Sequence, residues 1–179
     1  MRIFLIRHGK TEANEKHLYC GSTDISLSDS GLQELSTLSY QVGDVQFITS
    51  GMRRTNETLK ALFGDVAFTV DRDFREIDFG IFEMKSYEEL KDTFEYQSWL
   101  SGDNYVNTPP NGESGYAMSI RALSAFRRLD QDSVVITHGG VIAAIMESLF
   151  PMAHKNRYQW QPKPGHGYEI SEGSYRYLP

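Results

Sequence analysis

With 179 residues, 40% of them hydrophobic and 23% charged, the chain has the size and composition of one globular domain and none of the bias of a disordered segment. A formal net charge of −6 argues against nucleic acid or an anionic membrane as a general partner, although a few focused arginines would still serve a small anionic ligand. The single cysteine, Cys20, excludes an internal disulfide and a cysteine-based zinc site. No apolar run approaches the roughly 20 residues that span a bilayer, and the apolar residues at 3–6 are too few for a signal peptide, so a cytoplasmic setting is expected.

Residues 3–6 (Ile-Phe-Leu-Ile) predict a strand buried on both faces. Ser28 is a natural N-cap for a helix on which Leu32, Leu35 and Leu38 share a face. A short strand follows at 47–49, then a helix over 52–63 closed by Gly64, then a third strand over 66–70. Ser86 and Glu89 have capping-box spacing and open a helix through the charged stretch behind them. The clearest loop, Thr108-Pro109-Pro110-Asn111-Gly112, leads into a long helix over 114–129. Residues 133–137 form another buried-type strand, 140–150 a helix stopped by Pro151, and 168–170 and 175–177 two weaker strands around Gly173. Strands alternating with helices indicate an α/β fold with a largely parallel sheet, in one domain (1–179) without repeat or linker.

In open α/β sheets, ligands bind beyond the carboxyl ends of the strands. Three such ends here are unusually polar: Arg7-His8-Gly9 with Asn14 following, Thr49-Ser50-Gly51 with Arg53 and Arg54 following, and Thr137-His138-Gly139-Gly140. Two histidines and at least two arginines therefore have the opportunity to meet at one rim, beside helix N-termini that favour an anion. That chemistry suits a phosphoryl group. Neutral imidazole is a competent nucleophile near pH 7, arginines clamp phosphate oxygens, and a phosphorylated nucleophile splits hydrolysis into two in-line displacements. Arginines and a protonated histidine neutralise the equatorial oxygens without a metal or other cofactor.

These residues, in this order, resemble the histidine phosphatase superfamily, which includes the cofactor-dependent phosphoglycerate mutases. Residues 7–14 are similar to its Arg-His-Gly signature, 50–58 to its second arginine segment, and 74–83 to the segment carrying its acid; Gly21, Gly112-Glu113-Ser114 and His138-Gly139 complete the set. Arg-His-Gly alone is weak, but the ordered combination is specific. The resemblance implies a three-layer α/β/α sandwich with a mainly parallel sheet and one antiparallel strand. It implies that His8 attacks phosphorus, that Arg7, Arg54 and His138 hold the phosphate, and that Glu76 handles the proton. Asn14, Cys20, Gly21 and Gly139 are then expected around the substrate, with Cys20 lining the rim rather than reacting and Glu113 supporting the site through a helix-start hydrogen bond. Leu18-Tyr19-Cys20-Gly21, Phe82-Glu83-Met84 and Asn111-Gly112-Glu113 look like the α-ribazole phosphatase branch, which acts in cobalamin lower-ligand assembly.

Several readings compete. Taken singly, His8 or His138 is a structural histidine at a strand end, and Arg54 a solvated helix charge; Asp73, Asp78 and Glu83 are rivals for Glu76. His17 and His154 have no partner at ligand spacing, and His166 stands between glycines where an approach to the site is open. Gly9-Lys10-Thr11 lacks the earlier glycine of a phosphate-binding loop, since Phe4 stands there, and Cys20 lacks the following arginine of a cysteine phosphatase. The leading reading is a phosphatase acting on a small phosphorylated metabolite. The alternatives are a broad-specificity phosphatase, a phosphoglycerate mutase, which needs more chain than 83–112 supplies to enclose its intermediate, and a non-catalytic phosphate-binding module. Tyr87, Phe94, Tyr96 and Trp99 fall where the resemblance places a cap, and aromatics there favour a flat, apolar leaving group.

Overall fold

The computed structural model describes residues 1–178. Six strands, β1 (Arg2–Arg7), β2 (Gln46–Thr49), β3 (Thr69–Val70), β4 (Ser133–Thr137), β5 (Gly167–Ser171) and β6 (Ser174–Leu178), form one sheet in the order β3-β2-β4-β1-β5-β6. β1, β2, β3 and β4 pair in parallel, while β5 runs against both β1 and β6. The helices are α1 (Glu12–Glu15), α2 (Asp29–Leu35), α3 (Arg53–Phe63), α4 (Tyr87–Leu90), α5 (Phe94–Leu100), α6 (Gly115–Arg127), α7 (Gly139–Leu149) and α8 (Arg157–Trp160).

Side-chain alternation along the central strands builds the layers. Ile3 and Leu5 of β1, with Val135 of β4, pack against Ala122 of α6 and Ile142 and Met146 of α7. Their neighbours Phe4, Ile6, Val134 and Ile136 face the other way, onto Leu59 of α3 and Val42. This is the expected three-layer sandwich with a single antiparallel strand. It explains why β1 and β4 are unbroken apolar runs: both faces are covered. α7 buries Val141, Ile142, Ile145 and Met146, each contributing about 1.5–3 kcal/mol. A smaller cluster, Phe82, Leu90 and Tyr96 with Tyr19, Phe79 and Trp99, lies apart from the sheet.

Local sequence set most ends. Ser28 accepts from Gly31 N and caps α2, Ser114 accepts from Ala117 N and caps α6, and Ser86 and Glu89 form the capping box of α4. Three expectations fail locally. α2 stops at Leu35 and Leu32 stays exposed, because only Leu35 reaches the core. The strand expected over 66–70 shrinks to Thr69 and Val70, the only two residues that pair with β2 at this edge. The helix opened by Ser86 lasts one turn, and a fresh helix, α5, starts after Thr93.

Candidate active site

β1 and β4 lie side by side with Arg7 opposite Thr137, and the His8 N–H donates to the Thr137 carbonyl at 2.9 Å. The next residue on each strand is a histidine. Register alone therefore brings His8 to His138, ring centroids 5.2 Å apart and edge-on. β2, on the other flank of β4, delivers Ser50, and the first turn of α3 delivers Arg54. The three strand ends converge.

The state of His8 follows from one contact. Its Nδ1 lies 2.7 Å from the Gly9 carbonyl oxygen. A carbonyl can only accept, so Nδ1 carries the proton and Nε2 keeps its lone pair. The residue is 6% exposed, and burial, reinforced by Arg54 and Arg7, holds it well below the usual imidazole range. His8 is neutral at pH 7, the form a nitrogen nucleophile needs. His138 is fully buried and is likewise held low, by burial first and then by Arg54, His8, Arg7 and Arg121.

Backbone carbonyls hold both arginines. Arg54, 1% exposed, donates Nη1 to Thr23 O at 2.8 Å and Nη2 to Gly21 O at 2.7 Å. Arg7 donates Nη1 to Pro162 O at 2.9 Å. Neutral acceptors fix a guanidinium without cancelling its charge. The Nε of each arginine is buried without a partner, and so is Nδ1 of His138. Leaving such a group unsatisfied costs about 1–3 kcal/mol. The two guanidinium N–H groups among them, beside a neutral His8, make a site that an oxyanion would complete.

Glu76 is tied to the same rim by the start of α7. Its Oε2 accepts from Gly140 N at 2.9 Å and its Oε1 from Ile77 N at 3.1 Å. Of its rivals, Asp78 accepts from Ser22 Oγ and Gly80 N, and Asp73 pairs with Arg128. Glu83 accepts from Gly21 N, Ser22 N, Thr23 N, Thr23 Oγ1 and Phe79 N. It thereby anchors the loop whose carbonyls grip Arg54. Arg121 of α6 pairs with Glu113 at 2.7 Å and donates to the carbonyls of Asp73, Arg75 and Glu76. Glu113 thus supports the acid segment through Arg121, and Ser114, not Glu113, caps the helix. Sequence reasoning missed Arg121, the contact of Ser50 with His138 and the anchoring role of Glu83, since these partners lie far along the chain.

The other expected residues take these places. Asn14 lines the cavity, its Oδ1 committed to Thr11 N and Oγ1 in a capping box. Cys20 also lines it, half-buried, and burial pushes its thiol up, away from a thiolate. Gly21 sits behind Arg54; a Cβ there would fall 1.6 Å from Ile77 O. A Cβ at Gly139 would come within 3.2 Å of Arg7 Cζ. His166 stacks on Tyr177, and only its carbonyl reaches the site, accepting from Arg7 N. His17 and His154 are exposed and adopt left-handed backbone.

A cavity of about 460 Å³ opens next to Arg7, Glu76 and Gly140. Tyr19, Phe79, Tyr96, Trp99, Tyr105 and Tyr158 give it aromatic walls. Of the aromatics expected in a cap, Tyr96 and Trp99 reach it, whereas Tyr87 and Phe94 are exposed. Arg157 stacks on Tyr105, 4.1 Å from the ring centre, and closes one side. Among the described residues no group of three or more His, Cys, Asp or Glu is placed to hold a metal ion, and no helix is long and apolar enough to cross a membrane.

The chain matches the histidine phosphatase superfamily (branch 1) over residues 3–175. It is 28% identical to the adenosylcobalamin/alpha-ribazole phosphatase of Salmonella typhimurium, covering 92% of this chain and 87% of that protein. It is 30% identical to phosphoglycerate mutase-like protein 4 of Arabidopsis thaliana, covering 86% and 73%. Among solved structures, a putative alpha-ribazole-5′-P phosphatase from Escherichia coli K-12 superposes with a TM-score of 0.86 at 27% identity, covering 99% of this chain and 95% of the other. A phosphoglycerate mutase from Thermus thermophilus superposes with a TM-score of 0.79 at 26% identity, covering 100% and 97%. With strand order, site geometry and family match in agreement, the chain belongs to the histidine phosphatase superfamily and is a phosphatase.

Proposed function

We propose that this phosphatase hydrolyses a small phosphate monoester through a phosphohistidine on Nε2 of His8, and that its substrate is α-ribazole 5′-phosphate. The carrying observation is the His8 Nδ1–Gly9 contact, which leaves Nε2 with a lone pair beside two arginines that lack a partner at Nε. Nε2 attacks phosphorus as the bond to the leaving oxygen breaks, and Glu76 gives that oxygen its proton. Water then attacks the phosphohistidine, Glu76 takes the proton back, and His8 returns neutral with inorganic phosphate released. Arg7, Arg54 and His138 stabilise the equatorial oxygens, with no metal required. Asn14 and the Gly139 amide end of α7 border the phosphate, and Gly21 holds Arg54 in line.

The cavity supports the substrate assignment. Its aromatic walls and 460 Å³ suit a flat benzimidazole-like base better than a three-carbon acid. A cytoplasmic setting goes with that metabolite and with a lone free cysteine. The test pits α-ribazole 5′-phosphate against 3-phosphoglycerate in one assay, without a bisphosphate primer. Higher kcat/KM for the nucleotide and release of free phosphate support the reading; preference for the acid returns the mutase reading. His8→Ala should fold and abolish turnover, and near wild-type turnover by that variant would refute the nucleophile.

A further inference from the structure

A chain of hydroxyls runs behind His138. Ser50 and Thr55 are both fully buried. His138 Nε2 lies 2.9 Å from Ser50 Oγ, Ser50 Oγ lies 3.1 Å from Thr55 Oγ1, and Thr55 Oγ1 lies 2.7 Å from the Met52 carbonyl oxygen. The last contact sets the direction of the whole chain. A carbonyl only accepts, and it is the shorter of these two Thr55 contacts, so the Thr55 proton points at Met52. Thr55 Oγ1 then accepts from Ser50, and Ser50, its own proton committed, accepts from His138. His138 therefore carries its proton on Nε2. Its Nδ1, buried and unpartnered, holds a bare lone pair.

We infer that Ser50, backed by Thr55, is a positioning residue that fixes His138 in the Nε2–H tautomer and makes Nδ1 the ring atom that meets the phosphoryl group. The inference rests on the reading of His138 as a phosphate-binding group, and it adds an account of the proton. A bare lone pair repels a phosphate dianion. Contact requires one proton on Nδ1, taken from the P–OH of a monoanion or from solvent. The result is an imidazolium that donates from Nδ1 to phosphate and from Nε2 to Ser50; a monoanion that gives up its P–OH proton is left as the dianion, and no other protein group changes its protonation. The groups facing the ring are Arg54 from α3, Arg7 and His8 at the end of β1, and Arg121 from α6. Glu76 binds Gly140, two residues further on. The cations oppose protonation of the ring until a dianion reverses the local balance.

Long-range ¹H–¹⁵N correlation reads the tautomer directly, with His138 assigned by His138→Gln. Without phosphate near pH 7.5, wild-type protein should give the Nε2–H pattern, and inorganic phosphate should move Nδ1 toward its protonated position. An Nδ1–H pattern overturns the inference whatever the activity. An Nε2–H pattern indifferent to phosphate overturns instead the phosphate-binding role beneath it, and the inference with it. Ser50→Ala should weaken competitive inhibition by inorganic phosphate about tenfold and move the alkaline limb of that affinity about one pH unit lower. Ser50→Thr, which keeps the hydroxyl, should stay within about threefold of wild type. Wild-type phosphate affinity and pH profile in folded Ser50→Ala would overturn the assignment, and if that variant does not fold, the tautomer of the wild-type ring decides.

Discussion

Gly140→Ala separates the acid from the rest of the machinery with one methyl group. A Cβ at Gly140 would lie 2.4 Å from Glu76 Oε1, and a tolerable contact begins at 3.0–3.4 Å. The carboxylate must therefore retreat by about 0.6–1.0 Å, judged from those distances, and its 2.9 Å bond from Gly140 N is strained or lost. α7 itself should tolerate the change, since alanine is the better helix former by about 1 kcal/mol, so Tm should hold or rise slightly. A displacement of about 1 Å costs on the order of 10² in a positioned catalytic step, within the 10² to 10⁴ that general acid catalysis supplies. We expect kcat on sugar or ribosyl phosphates to fall about 30- to 100-fold, or about 2–2.7 kcal/mol. On p-nitrophenyl phosphate, whose leaving group departs without a proton, the loss should stay below about threefold. Steady-state kinetics on both substrates, with circular dichroism for the fold, provide the assay. Equal losses on both substrates, or no loss on either, would refute Glu76 as the proton donor.

Both site histidines are held neutral in the folded protein but take up protons near pH 6.5 when unfolded. The unfolded state therefore binds more protons as pH falls, and stability should decline below about pH 6.5 until the lowered folded values are reached, by up to about 1.4 kcal/mol per pH unit for each ring. Urea melts at several pH values should show this slope, and a slope unchanged in His8→Asn would refute it. Glu83→Gln replaces an acceptor that serves five donors with a group that turns an N–H toward some of them. It should cost about 2–3 kcal/mol of stability and loosen the carbonyls behind Arg54, so that KM rises more than kcat falls; an unchanged KM would break the link to Arg54. Activity should survive exhaustive EDTA treatment, because Arg7, Arg54 and His138 supply the charge. Loss on chelation, restored by one defined divalent ion, would count against this mechanism.

Burial periodicity and cap chemistry were legible in the sequence because both are local. The apolar runs ending at Ile6 and Ile136 announce strands covered on both faces, and Ser28, Ser86 and Ser114 mark helix starts that the fold keeps. The residues directly after those strands were legible as well: in a parallel sheet, successive strands deliver their carboxyl ends to one edge, so His8, Ser50 and His138 had to share a rim. Partnership was not legible. Ser50 meets His138 across 88 positions, Glu83 meets Gly21 across 62, and Glu76 meets Gly140 across 64. Nor was the protonation of His8, which depends on burial and on which ring nitrogen finds a carbonyl. Edge effects escaped too: whether Val66 joined a strand depended on the reach of β2, and whether Leu32 was buried depended on what lay opposite it. Apolar burial repeats with the period of its own element and so leaves a pattern along the chain. A hydrogen bond between distant polar groups has no period, and only the folded register decides which donor finds which acceptor.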